Sequence, residues 1–215
     1  MQLIQKTMHH VRAKLEKECT GHDWWHAHRV WQIANHIAEK EGGDRTIIQL
    51  AALLHDISDW KFNQEKSESA GSLITHDWVI RLGLSSDVAE KVSDIIQNMS
   101  FKGARVKRIP LTLEGQIVQD ADRLDAIGAI GIARAFAYGG FKGSEVYNPA
   151  IKPCLHESCE AYKNNCSSTI NHFYEKLLLL KDQMNTPTAR QLAEEKHAFM
   201  IKYLDQFFKE WGANY

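Results

Sequence analysis

The sequence predicts an all-α fold of six to eight helices, and three observations carry that prediction. Apolar residues recur at spacings of three and four along most of the 215 residues. Sustained period-two alternation, the mark of a half-buried strand, is absent. Residues suited to helix starts stand directly ahead of the apolar runs. Asp23 precedes a run with Val30, Ile33, Ala34 and Ile37 on one face, and Asp44 precedes one with Ile47, Leu50, Ala51 and Leu54. Each carboxylate is placed to accept the free amides of a first helical turn. Further helices are expected over 67–82, 87–99, 112–138, 169–184 and 188–211, the last opened by Thr186 as N-cap and Pro187 at the first helical position. Two stretches break the pattern. Residues 100–110 form a basic loop holding Lys102, Gly103, Arg105, Lys107 and Arg108. Residues 139–165, with Gly140, Gly143, Pro149 and Pro153, read as an irregular crossover of the length of a functional lid.

The composition bounds the function. A hydrophobic fraction of 44% with 25% charged residues is enough to build a core, which excludes a disordered chain. Lys and Arg total 26 against 27 Asp and Glu. That balance provides no electrostatic footprint for a stable nucleic-acid partner. A small phosphorylated ligand needs only a local patch and stays open. Eleven His is a high count, and imidazole is both a metal ligand and a proton carrier near neutral pH. No apolar run approaches the roughly 20 residues of a membrane span. The early charges Lys6, Arg12, Lys14, Glu16 and Lys17 leave no apolar segment of the kind a secretory leader carries. Four unevenly spaced Cys do not make a disulfide scaffold, so a reducing cytoplasm is the expected compartment. Six Trp can fill a core or line the interface of a homodimer.

Three segments concentrate groups able to do chemistry. His-Asp occurs as His22–Asp23, His55–Asp56 and His76–Asp77. The second pair ends the apolar run Ala51-Ala52-Leu53-Leu54, where an imidazole beside a carboxylate is costly to bury unless both are satisfied. A divalent metal satisfies them; so does hydrogen bonding at a helix terminus. In Gln119-Asp120-Ala121-Asp122-Arg123-Leu124-Asp125-Ala126, three carboxylates fall within six residues of an apolar helix and repel unless cations neutralise them. Asp122 and Asp125 share a face there, and Arg123 or a metal can serve them. In His22-Asp23-Trp24-Trp25-His26-Ala27-His28-Arg29, the residues His22, His26 and Arg29 share a face. The His-x-x-x-His spacing matches the helical metalloprotease pair, but Asp23 stands where that motif has Glu. His22 is therefore expected as a supporting group near the helix start.

Taken in order, His26, His55–Asp56 and Asp122 resemble the H…HD…D pattern of the HD-domain metal-dependent phosphohydrolases, all-α helical bundles. Gly21-His22-Asp23-Trp24-Trp25-His26, Leu54-His55-Asp56-Ile57, Ser100-Phe101 and Asp120 through Gly128 are similar to the small bacterial branch that includes nucleotide pyrophosphohydrolases. The likeness runs on through Asn171-His172-Phe173-Tyr174-Glu175-Lys176-Leu177. It implies one HD-type domain over 1–215, with a metal-binding core over about 20–138 and C-terminal helices over about 166–211 packed on it as a hairpin. It also implies one divalent ion held by His26, His55, Asp56 and Asp122, with Mn²⁺ favoured. The mixed donors suit Fe²⁺, Co²⁺, Ni²⁺, Zn²⁺ or Mg²⁺ as well. Only His76 lies between the His-Asp pair and the last Asp, which argues against a second protein-held ion.

The same resemblance implies a substrate that is a small phosphorylated metabolite, foremost a (deoxy)nucleoside triphosphate cleaved to monophosphate and pyrophosphate. A 5′-monophosphatase, a cyclic-nucleotide phosphodiesterase and a non-catalytic nucleotide-binding module are the alternatives. Asp59, three residues after Asp56 where a related branch carries a catalytic Glu, is the expected orienter of the attacking water, against a plain helix cap. Lys61 is expected at the substrate phosphate. Arg29, Lys102, Arg105, Asp125, His172 and Lys176 are the candidate substrate contacts. Relatives often carry His ahead of Ser-Phe where this chain has Asn98-Met99, a change that bears on substrate preference rather than on the metal. Cys154-Leu155-His156-Glu157-Ser158-Cys159 with Cys166 invites a zinc site, but its spacing favours unpaired loop thiols.

Overall fold

In the computed structural model, which describes residues 2–16, 21–57, 68–100, 109–155 and 167–213, every regular element is helical. The apolar pattern does not predict the first, α1 (Gln2–Leu15). Its buried positions Thr7, Val11 and Leu15 lie one per turn among charged neighbours, a stripe too narrow to read as amphipathic. The next two helices open as their carboxylates predict. Asp23 accepts from the His26 amide at 2.9 Å to start α2 (Trp24–Glu41), and Asp44 accepts from the Thr46 and Ile47 amides to start α3 (Arg45–Leu54). There follow α4 (Glu68–Arg81) and α5 (Ser86–Asn98), the latter capped by Ser85.

The described residues between Met1 and Asp122 form one compact unit, and those from Arg123 onward another. In the first, α3 packs against α1, α2 and α5, and α4 packs on α5. Helix α3 is buried at Ile47, Ile48 and every position from Leu50 to Leu54, so it is apolar all round rather than on one stripe. Each buried Ile or Leu among them contributes about 1.5–3 kcal/mol by leaving water. A helix held that firmly has its C-terminal end fixed in the core, and that end is where His55 and Asp56 stand.

Helix α1 is docked by a polar and aromatic contact. The rings of His10 and Trp78 stack at 3.7 Å and 13°, and the Trp78 Nε1–H donates to the Thr7 hydroxyl at 3.2 Å. Burial, with Lys14 and Arg81 nearby, holds the His10 imidazole below its ordinary pKa of 6.5. The folded chain thus favours neutral His10, and its contribution is complete above pH 6.5 and lost as pH falls through and below that value. Denaturant midpoints measured from pH 7.5 to 5.5 are expected to fall less steeply for His10→Phe than for the wild-type protein. Equal slopes would remove His10 from the pH response.

The span 112–138, predicted as one helix, is two: α6 (Leu113–Asp125) and α7 (Gly128–Lys142). Ile127 is extended, and Gly128, at φ 75°, occupies the left-handed region open to glycine. The apolar period continues across the break, which hides it from pattern reading. Helix α7 runs to Lys142, so the irregular crossover begins at Gly143, a left-handed cap, and not at Gly139. The expected helix over 169–184 is one short helix, α8 (Thr169–Glu175), and two 3₁₀ turns, Leu177–Leu179 and Lys181–Gln183. The last helix, α9 (Pro187–Trp211), opens on Thr186 as predicted. Helix α7 packs on α8 and α9 within the second unit. Among the described residues no helix is long and apolar enough to cross a membrane.

Candidate metal centre

Three helices deliver four side chains to one point of the first unit. The Asp23 cap sets the first turn of α2, and His26 then faces inward with Val30, Ala34 and Ile37, all without exposure. His55 is the C-cap of α3, and its Nδ1 lies 2.9 Å from the Ala52 carbonyl oxygen. A carbonyl only accepts, so His55 carries its proton on Nδ1, and Nε2 presents a lone pair. Asp56 follows, and Asp122 comes from the third turn of α6.

His26 Nε2 stands 3.1 Å from His55 Nε2, 3.2 Å from Asp56 Oδ2 and 3.5 Å from Asp122 Oδ1. His55 Nε2 lies 3.5 Å from Asp56 Oδ2 and 3.8 Å from Asp122 Oδ1. Four Lewis bases gathered this closely suit a divalent cation. Two donors about 2.1 Å from a shared ion stand about 3.0 Å apart at a right angle and about 3.4 Å apart at the tetrahedral angle. Two overlapping groups, His22–His26–Asp56 and His26–His55–Asp122, keep their ligand atoms within 4.8 Å of one another. The Asp122 side chain is 33% exposed against 7% for Asp56, so the cluster meets solvent on the Asp122 side.

Electrostatics keep Asp56 ionised. Burial alone raises its pKa, but positive charge on the His55 and His22 rings whenever they are protonated, with the hydrogen bonds the His22 and His26 rings then offer, holds it well below the ordinary 3.8. His22, expected as a supporting group, lies 2.8 Å through Nδ1 from Asp56 Oδ2. The three His-Asp pairs thus separate by environment. His22 is bonded to Asp56 while Asp23 caps α2, and His55–Asp56 lies within the cluster. His76–Asp77 sits on α4 with Asp77 68% exposed.

The other candidate residues fall elsewhere or outside view. Arg29 is half-buried on α2, one turn after His26. Asp125 belongs to the second unit, where its buried carboxylate accepts from Arg134 Nη1 at 3.1 Å. That partner, nine residues on and across a helix break, has no signature in the sequence. Arg123 is buried, and its guanidinium donates to the Gln183 carbonyl. His172 and Lys176 lie half-buried in and just after α8 of the second unit. Asp59, Lys61, Lys102 and Arg105 lie outside the described residues, as do Lys107, Arg108, His156, Cys159 and Cys166. Cys154 is exposed, and its amide donates to the Glu175 carboxylate at 3.0 Å.

Residues 24–127 match the HD domain family. A Lactobacillus plantarum protein of known crystal structure is 38% identical with a TM-score of 0.88, covering 99% of this chain and 98% of its own. An HD-superfamily hydrolase from Bacillus thuringiensis is 46% identical with a TM-score of 0.74, covering 98% of this chain and 97% of its own. Bacillus subtilis YpgQ, crystallised in complex with ADP, is 39% identical with a TM-score of 0.75, covering 96% and 97%.

Proposed function

Because the chain belongs to the HD superfamily of metal-dependent hydrolases, we propose that it hydrolyses a nucleoside or deoxynucleoside triphosphate to monophosphate and pyrophosphate. The observation that carries the reading is the convergence of His26, His55, Asp56 and Asp122, with His55 held in the tautomer that leaves Nε2 bare. These four residues are the proposed ligands of one divalent ion, Mn²⁺ by preference. Such an ion supplies charge that polarises a phosphoryl oxygen and lowers the pKa of water towards neutrality.

The chain's own groups do the rest. Anchoring of His55 to the Ala52 carbonyl keeps its Nε2 aimed before any ligand arrives. Asp122, the exposed member, marks the side from which substrate approaches. Asp59 is the proposed orienter of the attacking water, Lys61 the proposed group at the substrate phosphate, and Arg29, Lys102, Arg105, His172 and Lys176 the proposed substrate contacts. Asp125, whose carboxylate accepts from Arg134, is also a proposed substrate contact. ADP in the YpgQ crystal supports a nucleotide ligand for this chain also.

A nucleotide panel tests the reading. Chelator-treated protein is expected to be inactive and to recover on adding Mn²⁺. Released phosphate should be detected only when inorganic pyrophosphatase is added. A nucleoside diphosphate and free phosphate as products would convert the assignment to a phosphatase. No turnover of any nucleotide with any of the candidate ions would overturn it.

A further inference from the structure

His22 stands ahead of α2, and its imidazole approaches the centre from the side of Asp56. Its Nδ1 is 2.8 Å from Asp56 Oδ2, the same oxygen that lies 3.2 Å from His26 Nε2 and 3.5 Å from His55 Nε2. One carboxylate oxygen therefore faces three imidazoles. An ionised carboxylate only accepts, so at this distance the proton of the bond sits on His22 Nδ1. Asp56 lies two residues beyond the last residue of α3, so regular helix geometry does not hold its side chain. The ring of His22 also packs edge-on against His26 at 5.3 Å and 77°, so it is braced against one proposed ligand while bonded to another.

We infer that His22 is a positioning residue whose Nδ1–H fixes the Asp56 carboxylate with Oδ2 turned to His26 and His55, presetting the centre for its cation. The inference rests on the ion site proposed above and goes beyond it, since His22 contributes a proton rather than a lone pair. Partners that orient a metal ligand in this way are worth about 10–100-fold in metal affinity. A competing role for His22, as a ligand through Nδ1, requires that nitrogen to be bare. The two roles therefore predict different replacements.

Mn²⁺ affinity is measured by calorimetry on chelator-treated full-length protein, with the visible absorption of the Co²⁺ form as a second readout. Circular dichroism checks that each variant is folded. His22→Phe is expected to weaken Mn²⁺ binding by roughly 10–100-fold and to change the Co²⁺ spectrum. His22→Asn, whose amide nitrogen places a donor near the Nδ1 position, is expected to restore affinity to within about threefold. His22→Asp, a good ligand but no donor, is expected to stay weak. Wild-type affinity in a folded His22→Phe variant overturns the inference, as does recovery by Asp but not by Asn. Absence of Mn²⁺ and Co²⁺ binding by the wild-type protein removes the ion site itself, and this role with it.

Discussion

His55→Ala is expected to abolish nucleotide hydrolysis and Mn²⁺ binding together, while His76→Ala leaves both at wild-type levels. The two residues carry the same dipeptide signature and differ only in placement. His55 ends a helix apolar all round, its proton is bonded to the Ala52 carbonyl, and its Nε2 is 3.1 Å from that of His26. His76 lies on α4 beside a carboxylate 68% exposed to water. A metal's stabilisation of phosphoryl charge is worth several kcal/mol, and each 1.4 kcal/mol is about tenfold in rate, so turnover should drop by roughly 10³-fold. Asp122→Asn should lower both quantities as well, since an amide oxygen is a weaker donor to a divalent ion than a carboxylate. Binding by calorimetry and turnover by chromatographic separation of nucleotides check both variants. Wild-type turnover in folded His55→Ala would detach the cluster from the chemistry.

Gly131→Ala and Gly140→Ala, in the same helix, are expected to shift stability in opposite directions. A Cβ on Gly131 would sit 2.2 Å from the Ala126 carbonyl oxygen and 2.4 Å from its carbon. Those are backbone atoms and no rotamer change relieves the overlap, so α7 must shift at a cost of roughly 2–4 kcal/mol. The close approach belongs to the break between α6 and α7, and a shift there would also strain the Asp125–Arg134 pair spanning it. At Gly140 a Cβ meets nothing within 4 Å and the backbone is ordinary helix. Alanine there should gain about 0.5–1 kcal/mol from helix propensity. Urea denaturation of the two variants gives the signs directly, and a neutral Gly131→Ala would mean that the helix start is free to move.

Some of this was legible in the residues and some was not. Helical periodicity, the Asp23, Asp44 and Thr186 caps, and the polar groups interrupting apolar runs at His55–Asp56 and Asp122 are local features. A segment carries them wherever it packs, and they are enough for an all-α fold and for an ordered set of His and Asp. The break at Gly128 escaped because the apolar period passes through it unchanged. Helix α1 escaped because one buried residue per turn makes a weak stripe.

What the tertiary structure alone decided is which atoms meet. The approach of His26 to His55 and the hydrogen bond between residues 22 and 56 depend on where helices distant in the chain come to lie, and the capture of Asp125 by Arg134 on how α6 and α7 meet at their break. Pattern reading ranks candidates by residue type and spacing. Protonation and pairing follow from separations of about 3 Å, which only packing sets.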